Sequence, residues 1–311
     1  EYEFCCGVVS NIEDQETYTF EQMLTNVMFA LAQSKEVSSE NICFFDEEVH
    51  KKKEFENFIE SNMQQALDSQ RFEMVLQPKM DLQTNSVIAA EALVRWRLED
   101  GTYLPPSSFV DIFEKNRFCS KLDFYMLKKA ILQIREWIDM GMEPVNISVN
   151  QSKIVFYHEN YISELKSLLE EYNVSGSYIT LEVLESTVIE DIDMFNSILT
   201  EVKKLGFSVS LDDFGSGYSS LNVLSKLQID ELKIDRIFLH TKSEVDNQRT
   251  KWILESIIEI AKKSQILVVV EGVESKQDDL FIKSLGADVG QGYFYGRPLS
   301  ISAFNDLIET K

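Results

Sequence analysis

The stretch FEMVLQPKMDLQTNSVIAAEALVRW, residues 72–96, contains two strand-like segments, 72–78 and 88–96, separated by only nine residues. A helical crossover between parallel strands needs a dozen or more residues, so these two strands are predicted to pair antiparallel. This short connection is the first constraint on the fold, because it sets the direction of the first strand relative to the second.

Six further strand-like segments follow, at 146–150, 179–185, 207–214, 231–235, 266–273 and 288–296. Helical patterns lie between most of them, and such alternation favours a parallel α/β sheet. Eight strands in about 240 residues fit a closed, TIM-like (β/α)8 barrel whose first strand pair is antiparallel. A doubly wound open sheet is the alternative, but the G-x-G-x-x-G motif that often opens such a sheet is absent from the sequence.

The first fifty residues have a different pattern. Residues 20–35 repeat apolar side chains at helical spacing between two short strand-like segments. One helix and two strands cannot close a core, so residues 1–50 are predicted to form a partial α+β segment. A linker helix is predicted over 51–69, followed by the barrel over 70–311.

Composition limits the possible functions. The 311 residues are 44% hydrophobic and 26% charged, and the formal net charge is −22. This charge argues against polymeric nucleic acid and anionic membranes as partners. Apolar runs such as 266–270 are too short to span a membrane. A signal-peptide pattern is lacking, and we expect a cytoplasmic protein with four reduced thiols, Cys5, Cys6, Cys43 and Cys119.

Polar side chains alternate with apolar ones along the predicted strands. In 207–212, Ser210 and Asp212 share one face, whereas Val209 and Leu211 share the other. The apolar face suits the helix layer, so the polar face is predicted to point into the barrel. Barrel active sites lie at the C-terminal ends of strands. The candidates there are Glu91, Asn150, Glu182, Asp212, Asp213, Lys233, Glu271 and Gln291.

These candidates indicate a metal site. Several carboxylates so close together could not all stay ionised without cations. Oxygen ligands without histidine or thiolate suit Mg²⁺ or Mn²⁺, and this number of oxygens suits two ions that bridge a phosphate. Gly215 and Gly217 permit a turn that brings both Asp212 and Asp213 to the barrel mouth. The alternative reading of each residue alone is ordinary: Asp213 as a turn former and Lys233 as a salt-bridge partner.

The motif EALVRW, residues 91–96, resembles the signature of EAL domains, a family of cyclic di-GMP phosphodiesterases. The family's other motifs follow in order over roughly 70–311, as SVNQS, LEVLES, LDDFGSGYSSL, LKIDRIFL, VVVEGVES and GADVGQGYFYGRPLS. Several motifs in the correct order are far more specific than one tripeptide. The resemblance implies hydrolysis of cyclic di-GMP to linear 5′-pGpG with two Mg²⁺ or Mn²⁺ ions.

The resemblance also implies roles for individual residues. The implied metal ligands are Glu91, Asn150, Glu182, Asp212, Asp213 and Glu271. Besides Glu91, the implied catalytic residues are Lys233, which orients or deprotonates the attacking water, Gln291, which holds a water or metal-bound group, and Glu185, which props the loop after Asp212. The implied substrate-binding residues are Gln77, Leu93, Arg95 and Asp235. The loop 213–220 resembles one that couples metal binding to contacts in a homodimer.

Two positions depart from the family's usual pattern: Leu76 stands where tyrosine is usual, and Leu184 where threonine is usual. Neither is an implied metal ligand. Residues 1–50 are similar to the last third of a GGDEF domain, without the cyclase signature. Three alternative functions remain open: a catalytically silent cyclic di-GMP receptor, a phosphodiesterase for another nucleotide, and a dimerisation platform.

Overall fold

A computed structural model describes residues 4–9, 19–36, 41–188, 192–215, 221–239 and 244–309. The chain divides into two compact units, Glu1–Gln65 and Ala66–Lys311, and the division falls within one helix. No helix among the described residues is long and apolar enough to cross a membrane.

The first unit contains a parallel pair of three-residue strands joined by a helix. Its elements are β1 (Cys6–Val8), α1 (Phe20–Glu36), β2 (Ile42–Phe44) and the first part of α2 (Glu47–Asp68). Asp46 begins α2, because its Oδ1 accepts hydrogen bonds from the backbone N–H groups of Glu48 and Val49. The helix therefore starts four residues before the predicted 51.

Within the described part of the second unit, eight strands close a barrel. They are β3 (Phe72–Asp81), β4 (Val87–Arg97), β6 (Asn146–Gln151), β7 (Ile179–Leu184), β8 (Ser208–Phe214), β9 (Glu231–Ile234), β10 (Leu267–Val270) and β11 (Val289–Gln291). The order around the barrel is β3-β11-β10-β9-β8-β7-β6-β4, and β3 pairs with β4 to close it. A two-residue strand, β5 (Tyr103–Leu104), pairs antiparallel with the end of β4 and was not predicted.

Strand β3 runs against both of its neighbours. It is antiparallel to β4, as the nine-residue connection predicted, and also antiparallel to β11. The other barrel pairs are parallel. Consequently, later residues of β3 lie farther from the mouth of the barrel, whereas later residues of the other strands lie closer to it.

Helices surround the barrel. They are α3 (Val110–Lys115), α4 (Cys119–Asp139), α5 (Lys153–Phe156), α6 (Tyr161–Tyr172), α7 (Glu185–Val188), α8 (Ile192–Lys204), α9 (Leu221–Lys226), α10 (Glu244–Lys263), α11 (Lys276–Leu285) and α12 (Ile301–Glu309). Capping chemistry sets the ends of α11: Ser275 and Asp278 form a reciprocal capping box, and Gly286 ends the helix in the left-handed conformation.

The apolar strand faces pack outward against these helices, as the alternation predicted. Ile147, Val149, Leu181, Val209 and Leu211 are at most 1% exposed. Each such side chain contributes roughly 1.5–3 kcal/mol on full burial. This outer core stabilises the barrel, so the inward-facing positions are available for polar residues.

The structure corrects several predicted strand ends. β3 continues to Asp81 instead of 78 and therefore includes Lys79. The last strand ends at Gln291 instead of 296, because the N–H groups of Tyr295 and Gly296 both donate to Gly292 O and turn the chain. The strand predicted over 266–273 is only Leu267–Val270. Glu185 does not end β7; it is the first residue of α7.

Candidate active site

Lys233 lies at the centre of a polar cluster inside the barrel mouth. Its side chain is almost fully buried. Its Nζ lies 2.8 Å from Glu182 Oε2, 2.9 Å from Glu271 Oε1, 3.0 Å from Asp212 Oδ2 and 3.4 Å from Glu91 Oε2. Burial alone would lower the pKa of Lys233, but the carboxylates outweigh it and hold this pKa well above its usual value. Lys233 is therefore a cation that links four strands.

Glu91, on β4, is fixed by two carboxamides as well. Asn150 Nδ2 donates to Glu91 Oε1 at 2.9 Å, and Gln291 Nε2 donates to Glu91 Oε2 at 2.5 Å. Gln77, on the reversed strand β3, pairs in register with Glu91, and its Nε2 donates to Gly296 O at 3.3 Å. Residues from β3, β4, β6 and β11 thus meet around one carboxylate.

Asp212 and Asp213 both lie at the mouth because the strand distorts there. Asp213 has φ 57°, in the left-handed region, so successive side chains do not alternate as in a regular strand. Carboxylate oxygens of Asp212, Asp213 and Glu271 lie within 4.8 Å of one another. Gly215 has φ 100°, and a Cβ there would lie 2.1 Å from the Phe238 ring, so this turn requires glycine.

Burial raises the pKa of four of these carboxyl groups. They are Glu91, Asp212, Asp213 and Glu271. For Glu271 the pKa rises to about 8, because burial and the carboxylates of Asp212 and Glu91 together outweigh the attraction of Lys233. The cluster therefore has more carboxylate than Lys233 neutralises, which favours binding of additional cations.

The donor set fits a hard divalent ion. Carboxylate and carboxamide oxygens are the ligands that Mg²⁺ and Mn²⁺ prefer, and the described residues place no histidine or cysteine in this cluster. Gln291 Oε1 is buried and accepts no hydrogen bond from the described residues. A buried oxygen of this kind is available to a water or an ion.

A second buried lysine, Lys79, was not among the sequence candidates. Its Nζ lies 2.7 Å from Ser148 Oγ and 2.8 Å from both Glu182 Oε1 and Glu231 Oε1. Burial raises the pKa of Glu182, but Lys233 and Lys79 outweigh it and bring the pKa down to about 2. Sequence reasoning missed both Lys79 and Glu231. The period of two could have found them, because Lys79 shares a strand face with Gln77, and Glu231 shares one with Lys233.

A cavity of about 250 Å³ opens beside the cluster. Its lining combines predicted site residues with others from the loops after β9, β10 and β11, namely Gln77, Glu91, Asp235, Arg236, Glu271, Gly272, Glu274, Gln291, Gly292 and Tyr293. Asp235 Oδ1 also accepts a hydrogen bond of 2.7 Å from the backbone N–H of Ile237. A polar cavity next to a cluster whose oxygen donors fit cations suits a small anionic ligand.

The remaining predicted residues surround this region. Leu93 and Asn150 line a second cavity, of about 210 Å³. Arg95 is half-buried, and its Nη1 donates to Val94 O at 2.8 Å. Glu185 is buried at the start of α7. Of the predicted loop 213–220, residues 216–220, which include Gly217, lie outside the described residues.

Known proteins resemble this chain along most of its length. A model of the EAL domain family matches residues 60–298. The cyclic di-GMP phosphodiesterase NbdA of Pseudomonas aeruginosa is 33% identical over 288 residues, which is 93% of this chain and 36% of NbdA. The bifunctional diguanylate cyclase/cyclic di-GMP phosphodiesterase MucR of the same organism is 30% identical over 281 residues, which is 90% of this chain and 41% of MucR. The chain thus spans well under two thirds of the length of these relatives.

A solved structure supports the same relationship. The PaMucR phosphodiesterase in complex with cyclic di-GMP superposes with a TM-score of 0.73 at 32% identity, covering 79% of this chain and 99% of that one. The barrel and the order of its strands are therefore those of a known architecture.

Proposed function

This chain belongs to the EAL domain family, and we propose that it hydrolyses one phosphodiester bond of cyclic di-GMP to give linear 5′-pGpG. The observation that carries the proposal is the cluster of Glu91, Glu182, Asp212 and Glu271 around Lys233, beside a polar cavity. The related NbdA and MucR are cyclic di-GMP phosphodiesterases by name. In the proposed reaction, a water oxygen bonds to phosphorus, the bond to the 3′ oxygen breaks, and that oxygen leaves as a hydroxyl.

The proposed cofactor is a pair of Mg²⁺ or Mn²⁺ ions. The residues that would hold them are Glu91, Asn150, Glu182, Asp212, Asp213 and Glu271. When bound, such ions neutralise phosphate charge and lower the pKa of a coordinated water. The raised pKa values of Glu91, Asp212, Asp213 and Glu271 support this assignment, because they mark an excess of buried carboxylate.

The chain's own side chains would orient the reactants. Lys233, whose Nζ contacts four carboxylates at the mouth, would orient the attacking water or help to deprotonate it. Gln291 fixes Glu91 with its Nε2 and has its Oε1 free for a water or a metal-bound group. Glu185, at the start of α7, would support the loop that follows Asp213.

Four residues would bind the substrate. Gln77 and Asp235 line the larger cavity, and Leu93 lines the smaller one. Arg95 shares a strand face with Glu91, so its guanidinium would reach a phosphate near the same carboxylate.

The proposed partner is a second copy of the chain, docked on α10. Two apolar side chains on this helix are more than half exposed, Trp252 at 59% and Ile253 at 52%. The charged residues nearest to this pair are Arg249 and Lys251 before it and Glu255 and Glu259 after it. Antiparallel packing about a twofold axis near the apolar pair would place Arg249 and Lys251 of each helix near Glu255 and Glu259 of the other.

The dimer is tested by the mass in solution. Trp252→Glu should convert a dimer to a monomer in light scattering or sedimentation, because it places a charge at the centre of the interface. The control is Leu280→Glu, on α11, which changes a side chain of similar exposure, 56%, on another helix. An unchanged dimer in the Trp252 variant would contradict this interface.

The first unit would be the C-terminal part of a GGDEF-like domain. The parallel pair β1–β2 with α1 as its crossover supports this assignment, as do the exposed apolar side chains Phe4, Phe20, Leu24, Met28, Ile42 and Phe44. The proposal predicts that this chain makes no cyclic di-GMP from GTP, since the cyclase signature is absent from its sequence.

The test of the main proposal is turnover of cyclic di-GMP by the purified chain with Mg²⁺, with Mn²⁺ or with EDTA, with products resolved by chromatography. Linear pGpG that forms only with a metal supports both the reaction and its metal dependence. Binding without cleavage in the presence of either ion would instead identify a receptor. Cleavage of other cyclic nucleotides at equal rates would contradict the proposed substrate.

A further inference from the structure

Lys79 is buried below the candidate metal ligands, in a layer to which no role has been assigned. Its side chain is 1% exposed, and its Nζ contacts Ser148, Glu182 and Glu231 at 2.7–2.8 Å. An unpaired ammonium would be very costly at this depth, so these three partners explain how the lysine is accommodated. They do not by themselves explain why a lysine is there, since an apolar side chain would fill the same space.

The reversed direction of β3 places Lys79 in this layer. On β3, a residue after Gln77 lies deeper in the barrel, whereas on β9 and β6 the residues before Lys233 and Asn150 are the deeper ones. Glu231 and Ser148 are those deeper residues, each two positions earlier on its strand and therefore on the same face. The layer containing Lys79 thus lies directly beneath the one containing Lys233.

Glu182 connects the two layers. Its Oε1 accepts from Lys79 and its Oε2 from Lys233, both at 2.8 Å. Lys233 also contacts three other carboxylates, whereas Lys79 contacts only Glu231 besides Glu182 among the described acidic residues. If a cation took over the contacts of Glu182 Oε2, Lys79 would still hold Oε1 and thereby the orientation of the carboxylate.

We infer that Lys79 is a positioning residue that holds Glu182 in the orientation from which it reaches the metal site. The inference rests on the proposed function, because Glu182 is one of the proposed ligands. Lys79 and Glu231 carry opposite formal charges, so replacing both leaves the total charge of the site unchanged and tests the contact with Glu182. Partners that orient a metal ligand typically change metal affinity by about 10–100-fold when they are removed.

The test is a double variant that removes the lysine without changing the total charge. Lys79→Met combined with Glu231→Met replaces the buried ion pair by two flexible apolar side chains of similar length, an exchange that buried pairs often tolerate. Titration calorimetry of the metal-free protein with Mn²⁺ should show affinity about 10–100-fold weaker than wild type. Excess Mn²⁺ should restore turnover, because Lys233 and the other proposed ligands are intact.

The matched control is Glu231→Gln, which leaves Lys79 in contact with Glu182. Its affinity for Mn²⁺ should stay close to that of the wild type. Wild-type affinity for Mn²⁺ in the folded double variant would overturn the inference. A tenfold loss of affinity in Glu231→Gln would also overturn it. This second result can be measured even if the double variant fails to fold. A wild-type chain that binds no Mn²⁺ would instead contradict the proposed metal dependence, so the two failures are distinguishable.

Discussion

The two buried lysines of the barrel have different surroundings. Lys79 contacts two carboxylates and a hydroxyl, whereas Lys233 contacts four carboxylates. Both have raised pKa values, because in each case nearby carboxylates outweigh the effect of burial. The deeper layer is close to electrical balance, and the layer at the mouth has an excess of negative charge.

This difference separates a structural pair from a binding site. A balanced buried pair needs nothing further, but it destabilises the fold when one partner is removed. An unbalanced cluster is stable only if its carboxyl groups take up protons or cations, which is why the pKa of Glu271 rises to about 8. Changes around Lys233, in the upper layer at the mouth, should therefore act mainly on turnover. Changes around Lys79, in the lower layer, should act on folding and on the orientation of Glu182.

The largest expected effect is that of Lys233→Ala. Turnover of cyclic di-GMP should fall by about 10⁴-fold, because the variant loses the group that orients the attacking water. Circular dichroism should show the wild-type fold when Mn²⁺ is present. Glu91→Ala should behave in the same way, and near-wild-type rates in either variant would exclude this site.

Lys79→Met alone should mainly affect stability. It leaves Glu231 and one oxygen of Glu182 buried without their cation, so the free energy of unfolding should fall by about 3–5 kcal/mol. Urea denaturation of the metal-free protein measures this loss. The double variant with Glu231→Met should recover most of it; a single variant as stable as the wild type would show that the lower layer is not a tight ion pair.

Metal binding should stabilise the fold through the upper layer. At a Mn²⁺ concentration of about 100 times Kd, the free energy of unfolding should rise by about 2.7 kcal/mol. The shift is seen in thermal melts with and without EDTA. It should shrink strongly in Asp212→Asn, a variant of one proposed ligand, and an equal shift there would indicate that Mn²⁺ binds elsewhere.

The smallest effect concerns a carboxylate that also lies between two lysines, but outside the barrel. Asp279 accepts hydrogen bonds from Tyr295 and Lys276 and pairs with Lys283, and although burial raises its pKa, these partners bring it down to about 2. A lowered pKa stabilises the fold above the unfolded value near 3.8, and this contribution disappears as the pH falls through about 2. Asp279→Asn should therefore lose about 1–2 kcal/mol at pH 6.

Two measurements check this assignment of Asp279. The difference in unfolding free energy between Asp279→Asn and the wild type should narrow as the pH falls from 6 toward 2. Turnover should be unchanged at pH 7, in contrast to the variants inside the barrel. A large loss of turnover in Asp279→Asn would contradict the expectation that changes inside the barrel affect turnover and changes outside it do not.

Much of the architecture followed from local patterns. The nine-residue connection after 78 predicted the antiparallel pair, and the alternation of polar and apolar residues predicted which strand faces point inward; both are confirmed by the register of β3, β4 and β6–β8. Strand ends were predicted less well. After β11 the chain turns onto Gly292 O, and after β10 the backbone of Val273 donates to Gln291 O and accepts from Phe294 N–H, which are both far away in the sequence. Such contacts have no local signature.

What the sequence determined by itself was the set of strands, their inward faces and the chemistry of the residues at the mouth, because strand periodicity is a local property of the chain. Only the tertiary structure decided how deep each side chain lies in the barrel and which side chains come together. The left-handed turn at Asp213 brings two adjacent carboxylates together, and the reversal of β3 places Lys79 beneath the site and against Glu231. Both depend on closure of the barrel, in which residues 152 positions apart come within hydrogen-bonding distance.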